Sequence, residues 1–233
     1  MKIYGFYFIA LMNDWKEIVD NQISTIISSE LFSKTEKLFL YIYYENEEYI
    51  KYVTDKFKEY INVSTLIGTS NEYEFPILKV VKDISRDDDF YCYYLHSKGV
   101  SITEKNMTTY NGAMNLTHLK NCVNDWRKYM EYFIINRYED SIKYLDEGFD
   151  SCGVNLTTKD LLSRPIPPHF SGNFWWSKSD YLKKLPEINS LNLRNRFNAE
   201  NWIGMGNGKL KCLYETKAGY HERINKNYLT YGF

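Results

Sequence analysis

The feature that most constrains this chain is an alternation of strand-like and helix-like segments over residues 1–99. Residues 3–10 are nearly all apolar or aromatic, as in a strand buried on both faces. Asn13 or Asp14 can cap a following helix, in which Trp15, Ile18, Ile23, Ile26 and Ile27 recur at helical spacing. Residues 37–44 read as a second strand, 46–60 as a helix with Ile50, Val53 and Phe57 on one face, and 63–67 as a short third strand. Pro76 suits the first turn of a helix reaching about Ile84, and residues 90–95 read as a fourth strand. This alternation predicts an α/β fold with a mostly parallel central sheet and helices on both faces. Right-handed crossovers leave few topologies, and ligands bind beyond the carboxyl ends of such strands.

The second part is less regular. Residues 116–138 predict a long helix with Trp126, Met130, Phe133 and Ile134 inward, and 140–147 a shorter one. Residues 151–156 suit a strand. Arg164-Pro165-Ile166-Pro167-Pro168 must be extended, because each proline biases its predecessor away from helix. Residues 170–177 are aromatic and strand-like. Ser179 opens a helix stopped near Pro186, and another begins about Ala199. The sequence shows no repeat and no linker-like stretch. One compact domain over 1–233 is the economical reading, with 1–99 as one half and 100–233 as an irregular second half and tail.

A formal net charge of -1 offers no electrostatic case for nucleic acid as a partner. Aromatic residues make up 17% of the chain, with 22 Tyr, and such amphipathic rings suit sugars and nucleobases. A chain rich in Ile, Asn, Lys and Tyr equally reflects codon bias. Cys92, Cys122, Cys152 and Cys212 form no C-x-x-C pair, which argues against zinc and fits thiols in a reducing, cytoplasmic setting. A peripheral place at the inner face of a membrane is compatible with this. Residues 3–12 faintly imitate a signal peptide, but Tyr4, Tyr7 and the lack of a cleavage site favour a strand. Asn62, Asn106, Asn115 and Asn155 head N-x-[ST] sequons that have meaning only on export. No run is long enough for a transmembrane segment.

Three segments could carry chemistry. The first runs from Asp87-Asp88-Asp89 to Tyr94-Leu95-His96-Ser97-Lys98-Gly99. The three carboxylates stand at the amino end of a strand, where a solvated turn is expected rather than a metal site. The carboxyl end presents His96 and Lys98, two potential cations for a diphosphate, and Gly99 permits close backbone approach. The plainer alternative for His96 is a satisfied core histidine. The second segment is His169-Phe170-Ser171-Gly172-Asn173-Phe174-Trp175-Trp176. Adjacent tryptophans on a strand point to opposite faces, so one can belong to the core and one to a groove; for the pair taken alone core packing is the plainer reading, and Gly172-Asn173 tips the segment towards sugar binding. The third is Arg196-Phe197-Asn198-Ala199-Glu200-Asn201-Trp202-Ile203-Gly204. Glu200 falls near a helix start, where the macrodipole favours its ionised form. It is either a first-turn glutamate that stabilises the helix or a general base at a cleft edge.

Together these segments resemble the signatures of a group of bacterial and viral glycosyltransferases related to the rhamnan-synthesis type. The resemblance covers most of the chain in order, and Ser171-Gly172-Asn173-Phe174-Trp175-Trp176 is its most specific piece. It implies a GT-A-like, Rossmann-like fold, with a nucleotide sugar (UDP-, GDP- or dTDP-linked) over the first half and a glycan or polysaccharide acceptor over the second. By that analogy Phe8, Ile9 and Ala10 meet the base, and His96, Ser97, Lys98 and Gly99 meet the diphosphate. Gly172, Asn173, Trp175 and Trp176 meet the acceptor sugar, and Glu200 stands where inverting members carry their catalytic carboxylate. His221 and Arg223 of the tail close over the diphosphate, His221 either directly or as a metal ligand. The sequence departs from the pattern in one respect. Many GT-A enzymes hold manganese or magnesium with Asp-x-Asp after the fourth strand, where this chain has His96-Ser97-Lys98. A non-catalytic carbohydrate-binding protein and a retaining transferase are the competing expectations. A nucleotidyltransferase would need a Gly-rich basic loop that residues 11–16 lack.

Overall fold

The computed structural model describes residues 1–104, 115–159, 163–219 and 221–230; Asn106 and Tyr220 lie outside the described residues. The first half runs β1 (Lys2–Leu11), α1 (Trp15–Ser28), α2 (Glu30–Lys34), β2 (Lys37–Tyr44), α3 (Glu48–Asp55), β3 (Val63–Gly68), α4 (Phe75–Asp87) and β4 (Phe90–His96). The second half begins with α5 (Leu116–Glu131), a π-helical turn over Tyr132–Asn136 and α6 (Tyr138–Asp146). It continues with β5 (Ser151–Gly153), β6 (Leu156–Lys159), β7 (Pro165–Phe170), β8 (Trp175–Lys178), α7 (Ser179–Leu182), α8 (Phe197–Asn201) and β9 (Leu210–Cys212).

Seven strands form one sheet in the order β3-β2-β1-β4-β8-β5-β9, and β6 pairs with β7 in a separate antiparallel ribbon. Within the large sheet every neighbouring pair is parallel except those β8 makes with β4 and β5. The protein is therefore an α/β fold on a mostly parallel sheet. β1, central and flanked by β2 and β4, is buried from Ile3 to Leu11, which is why its sequence is continuously apolar rather than alternating.

The two faces of β1 meet different helices. Tyr7 points to α1, where its hydroxyl donates to Gln22 Oε1 at 2.9 Å. On the opposite face Tyr4 stacks on Phe90 with ring centroids 4.6 Å apart, and Phe6 on Phe39 at 5.0 Å. Right-handed crossovers that run outward through β2 and β3 and then back to β4 place α4 on this second face. A continuous apolar core reaches from Ile3 to Tyr228.

Three segments differ from the sequence expectation. Residues 151–156 are not one strand: β5 ends at Gly153, Asn155 takes φ of 48°, and β6 begins at Leu156 in the other sheet. Residues 170–177 are not one strand. A turn separates β7 from β8, closed by the Asn173 N–H donating to Phe170 O at 2.9 Å. Gly172 and Asn173 take φ of 92° and 58°, a left-handed backbone that these two residue types tolerate and that breaks a strand. The long helix over 116–138 is α-helical only to Glu131, after which the chain widens into the π turn.

Candidate functional site

β1 is the point where the chain reverses direction across the sheet. It leaves β1 for β2 and β3 on one side and returns to β4 on the other. The adjacent loops must part at such a switch point, which leaves a crevice at the carboxyl ends of the strands. A cavity of about 880 Å³ opens there. Phe8 and Ala10 reach it from β1 and Met12 from just after it, His96 from the end of β4, and Ser97, Lys98 and Gly99 from the loop that follows. Asn71, Tyr73 and Glu74 enter from the approach to α4, Ser171 and Gly172 from the β7–β8 turn, Arg196 from just before α8, and Phe197 and Glu200 from α8. Its volume falls within the usual range for small-molecule sites.

Ser97 and Asn13 hold the crevice in shape. The Ser97 N–H donates to Phe8 O at 2.9 Å, and its hydroxyl accepts the Ala10 N–H at 2.8 Å. Asn13, with φ of 51°, donates its amide to Val100 O at 2.9 Å, tying the loop after β1 to the loop after β4. Gln22 passes its bond from Tyr7 onward, donating to His96 O at 3.0 Å. Gly99 has φ of 106°, so its glycine is required by backbone conformation at the turn out of β4.

The reading of His96 as a phosphate-binding cation is corrected by its surroundings. Nε2 lies 3.0 Å from Gly172 O and Nδ1 lies 3.3 Å from Glu74 Oε1, so both ring nitrogens are engaged within the protein. Burial, aided by Lys98, pushes its pKa down to about 3, and the ring is neutral. Among the described residues the positive charges at this rim are Lys98 and Arg196. The carboxyl of Glu74 is pushed up to about 7, first by burial and then by the charge of Glu200.

Glu200 lines the cavity from α8. That helix has five residues, Phe197–Asn201, so the expected macrodipole has little length to act over. Glu200 is instead placed by packing. Trp202 is fully buried and donates its indole N–H to Pro186 O at 2.9 Å. Gly204 lies so close to β7 that a Cβ there would stand 1.5 Å from Pro168 O.

Other expected residues take structural places. Trp175 and Trp176 point to opposite faces, as adjacent strand residues must, but both are fully buried. Trp175 stacks on Tyr94, and Trp176 donates to Ile134 O at 2.8 Å; neither lines the cavity. Asn173 is buried and accepts the Trp175 indole N–H at 3.0 Å. Ile9 is fully buried, away from the cavity wall. Arg223 pairs with Asp125 of α5, with Nη2 3.2 Å from Oδ1, and His221 accepts the Cys122 thiol on its carbonyl at 3.3 Å. Neither tail side chain is among the described cavity residues, although Thr216 and Ala218 just before them are. The acidic turn before β4 is held by lysines: Lys2 lies 2.9 Å from Asp88 and Lys183 lies 2.7 Å from Asp89. All four cysteines are free thiols.

The residues after β4 do not fit a divalent cation. His96 has no nitrogen to offer, the Ser97 hydroxyl serves Ala10, and Lys98 is itself a cation. Among the described residues no group of three or more His, Cys, Asp or Glu has metal-holding geometry. No described helix is long and apolar enough to cross a membrane.

Glu74, Tyr73 and Asn71 were not expected as site residues, and Arg196 entered only as the first residue of the third segment, with no role of its own. The available signal for Glu74 was positional: it directly precedes the Phe75-Pro76 helix start, in the connection that leaves the carboxyl end of β3.

No family model matches the chain, and no curated protein matches it. Among solved structures it is similar to 4-diphosphocytidyl-2C-methyl-D-erythritol synthase from Anaerococcus prevotii. Identity there is 8% and the TM-score 0.47, covering 98% of this chain and 93% of that one. It is also similar to HddC from Yersinia pseudotuberculosis, at 9% identity and a TM-score of 0.44, covering 92% of this chain and 91% of that one.

Proposed function

We propose that this protein is a GT-A-like glycosyltransferase that moves a sugar from a nucleotide-sugar donor to a hydroxyl of a glycan or polysaccharide acceptor. One observation carries the reading. The three segments behind the sequence resemblance are far apart in the chain, yet His96 to Gly99, Ser171 with Gly172, and Glu200 all line the same cavity. That cavity stands at the switch point of a mostly parallel sheet, where such folds bind ligands.

In the proposed reaction the acceptor hydroxyl gives its proton to the Glu200 carboxylate. Its oxygen attacks the anomeric carbon from the face opposite the nucleotide. A new glycosidic C–O bond forms as the bond to the diphosphate breaks, and the configuration inverts. The leaving diphosphate departs with its electron pair and meets the Lys98 ammonium, with the Arg196 guanidinium at the same rim. His96 does not supply this charge. A UDP-, GDP- or dTDP-sugar is the donor class.

One observation favours a second reading, a non-catalytic carbohydrate-binding protein. The end of β4 offers no cation site to replace Asp-x-Asp. A single experiment separates the two. Each nucleotide sugar is incubated with the protein, with and without manganese and chelator, and donor loss is followed by NMR. Turnover of one donor class is expected. Stabilisation by glycans with no donor turned over in any condition would establish the binding protein instead.

A further inference from the structure

His96 stands between two acceptors. Nε2 faces the carbonyl oxygen of Gly172 at 3.0 Å, and Nδ1 faces Glu74 Oε1 at 3.3 Å. A carbonyl has no proton to give, so Nε2 carries one and donates it. A neutral imidazole has then spent its only proton. Nδ1 presents a lone pair to the Glu74 oxygen, and two facing lone pairs repel. The contact is attractive only with a second proton between them. The side chains are 15% and 13% exposed, so solvent does little to relieve the clash.

We propose that Glu74 is a positioning residue: its carboxyl proton bonds His96 Nδ1, and through the ring it fixes the Gly172 turn at the cavity rim. The chain of donors runs from the Glu74 O–H to Nδ1, and from Nε2–H to Gly172 O. It joins the start of α4, the end of β4 and the β7–β8 turn, all of which reach the cavity. Loss of the proton to solvent leaves a carboxylate against a lone pair and undoes the link. Its bearing on sugar transfer rests on the transferase reading above.

Among the described residues four groups face this chain. Glu200 on α8 favours the protonated form of Glu74, while Lys98 after β4 and Arg196 before α8 favour the ionised form. The Tyr94 hydroxyl on β4 has its pKa pushed up first by burial and then by the charges of Glu74 and Glu200. Burial outweighs them all and keeps the proton on Glu74 through mild acid. A diphosphate beside Lys98 would offset that lysine's charge and tighten the hold on the proton.

The test follows the histidine ring nitrogens of the full-length protein by NMR from about pH 5.5 to about pH 8.5, a range in which a surface histidine also titrates and serves as control. Wild type is expected to show His96 as the Nε2–H tautomer at the acid end, with the Nδ1 resonance moving through a midpoint near 7. In Glu74→Gln the amide N–H donates to Nδ1 at every pH, and that midpoint is expected to vanish. Donor turnover in wild type is expected to fall about tenfold or more from about pH 6.5 to about pH 8.5, and in the variant to lose that fall. A Nδ1–H tautomer in acid, or the same midpoint in Glu74→Gln, overturns the proposal. If the variant fails to fold, wild type decides alone: a His96 signal unchanged through neutral pH overturns it. Absent donor turnover with the expected His96 behaviour instead overturns the transferase reading, so the two failures are distinguishable.

Discussion

Ser97 Oγ accepts the backbone N–H of Ala10 at 2.8 Å, just beyond Phe8 and His96, where β1 and β4 stop pairing. Ser97 is 3% exposed, so Ser97→Ala leaves a buried N–H without a partner. We expect a loss of about 1–3 kcal/mol in urea unfolding, together with weaker nucleotide binding. An unchanged unfolding midpoint would show that the two strand ends are held by other means.

Glu200→Gln removes the proposed base and keeps the shape of the side chain. Transfer is expected to be abolished while nucleoside diphosphate affinity stays as in wild type. Full transfer activity in this variant would sink the base assignment.

Lys98→Ala removes a charge from the proposed diphosphate position. Calorimetry is expected to show nucleoside diphosphate affinity about tenfold lower or worse, the worth of one charge-assisted contact. Unchanged affinity would take Lys98 out of the phosphate site.

Glu74 and Glu131 both hold pKa values raised to about 7, chiefly by burial. A raised folded-state pKa means that the folded form binds the proton more tightly than the unfolded form. The resulting stabilisation is complete below about pH 4.5 and is lost as the pH rises through about 7. For Glu74 the shift corresponds to something on the order of 3 kcal/mol. Chemical denaturation from pH 5 to pH 8, taken at about unit steps, is expected to show declining stability, with a shallower decline in Glu74→Gln and in Glu131→Gln. Equal slopes in all three proteins would contradict the assignment.

Gly204→Ala places a Cβ 1.5 Å from Pro168 O, against backbone rather than a flexible side chain. The strand β7 and the segment after α8 must then separate. A loss of about 3 kcal/mol is expected, with transfer impaired because Glu200 moves with its helix. A variant as stable as wild type would show that β7 yields freely.

The first half of the fold was legible because its signals are local. β2 occupies the expected 37–44, and β1 and β4 extend past their expected ends by a residue or two. Their continuous apolar runs leave no other reading. The β7–β8 turn was less legible, since Phe170 and the tryptophans on either side are strand formers, and only Gly172-Asn173 marks the break. Lys98 and Glu200, which both line the cavity, could be named beforehand, Lys98 from its place at the end of a strand and Glu200 through the family resemblance. Glu74 could not. Its importance comes from His96, which lies 22 positions on in sequence and 3.3 Å away in space. The charge state of His96 was misread for the same reason: a depressed pKa is a property of surroundings that local sequence does not carry.

The reversed direction of β8 has a consequence for how this protein can change. Because β8 runs against β4, it begins at the rim where β4 ends, and the chain reaches that rim as a turn rather than as the tail of a strand. Residues added to this turn would remodel one wall of the cavity while leaving the register of β1, β2 and β4 untouched. The wall of the cavity built by the β7–β8 turn is thus the adjustable part of the architecture and the wall built by β1 and β4 the fixed part, so that the shape of the crevice can be altered by exchanging a single short loop.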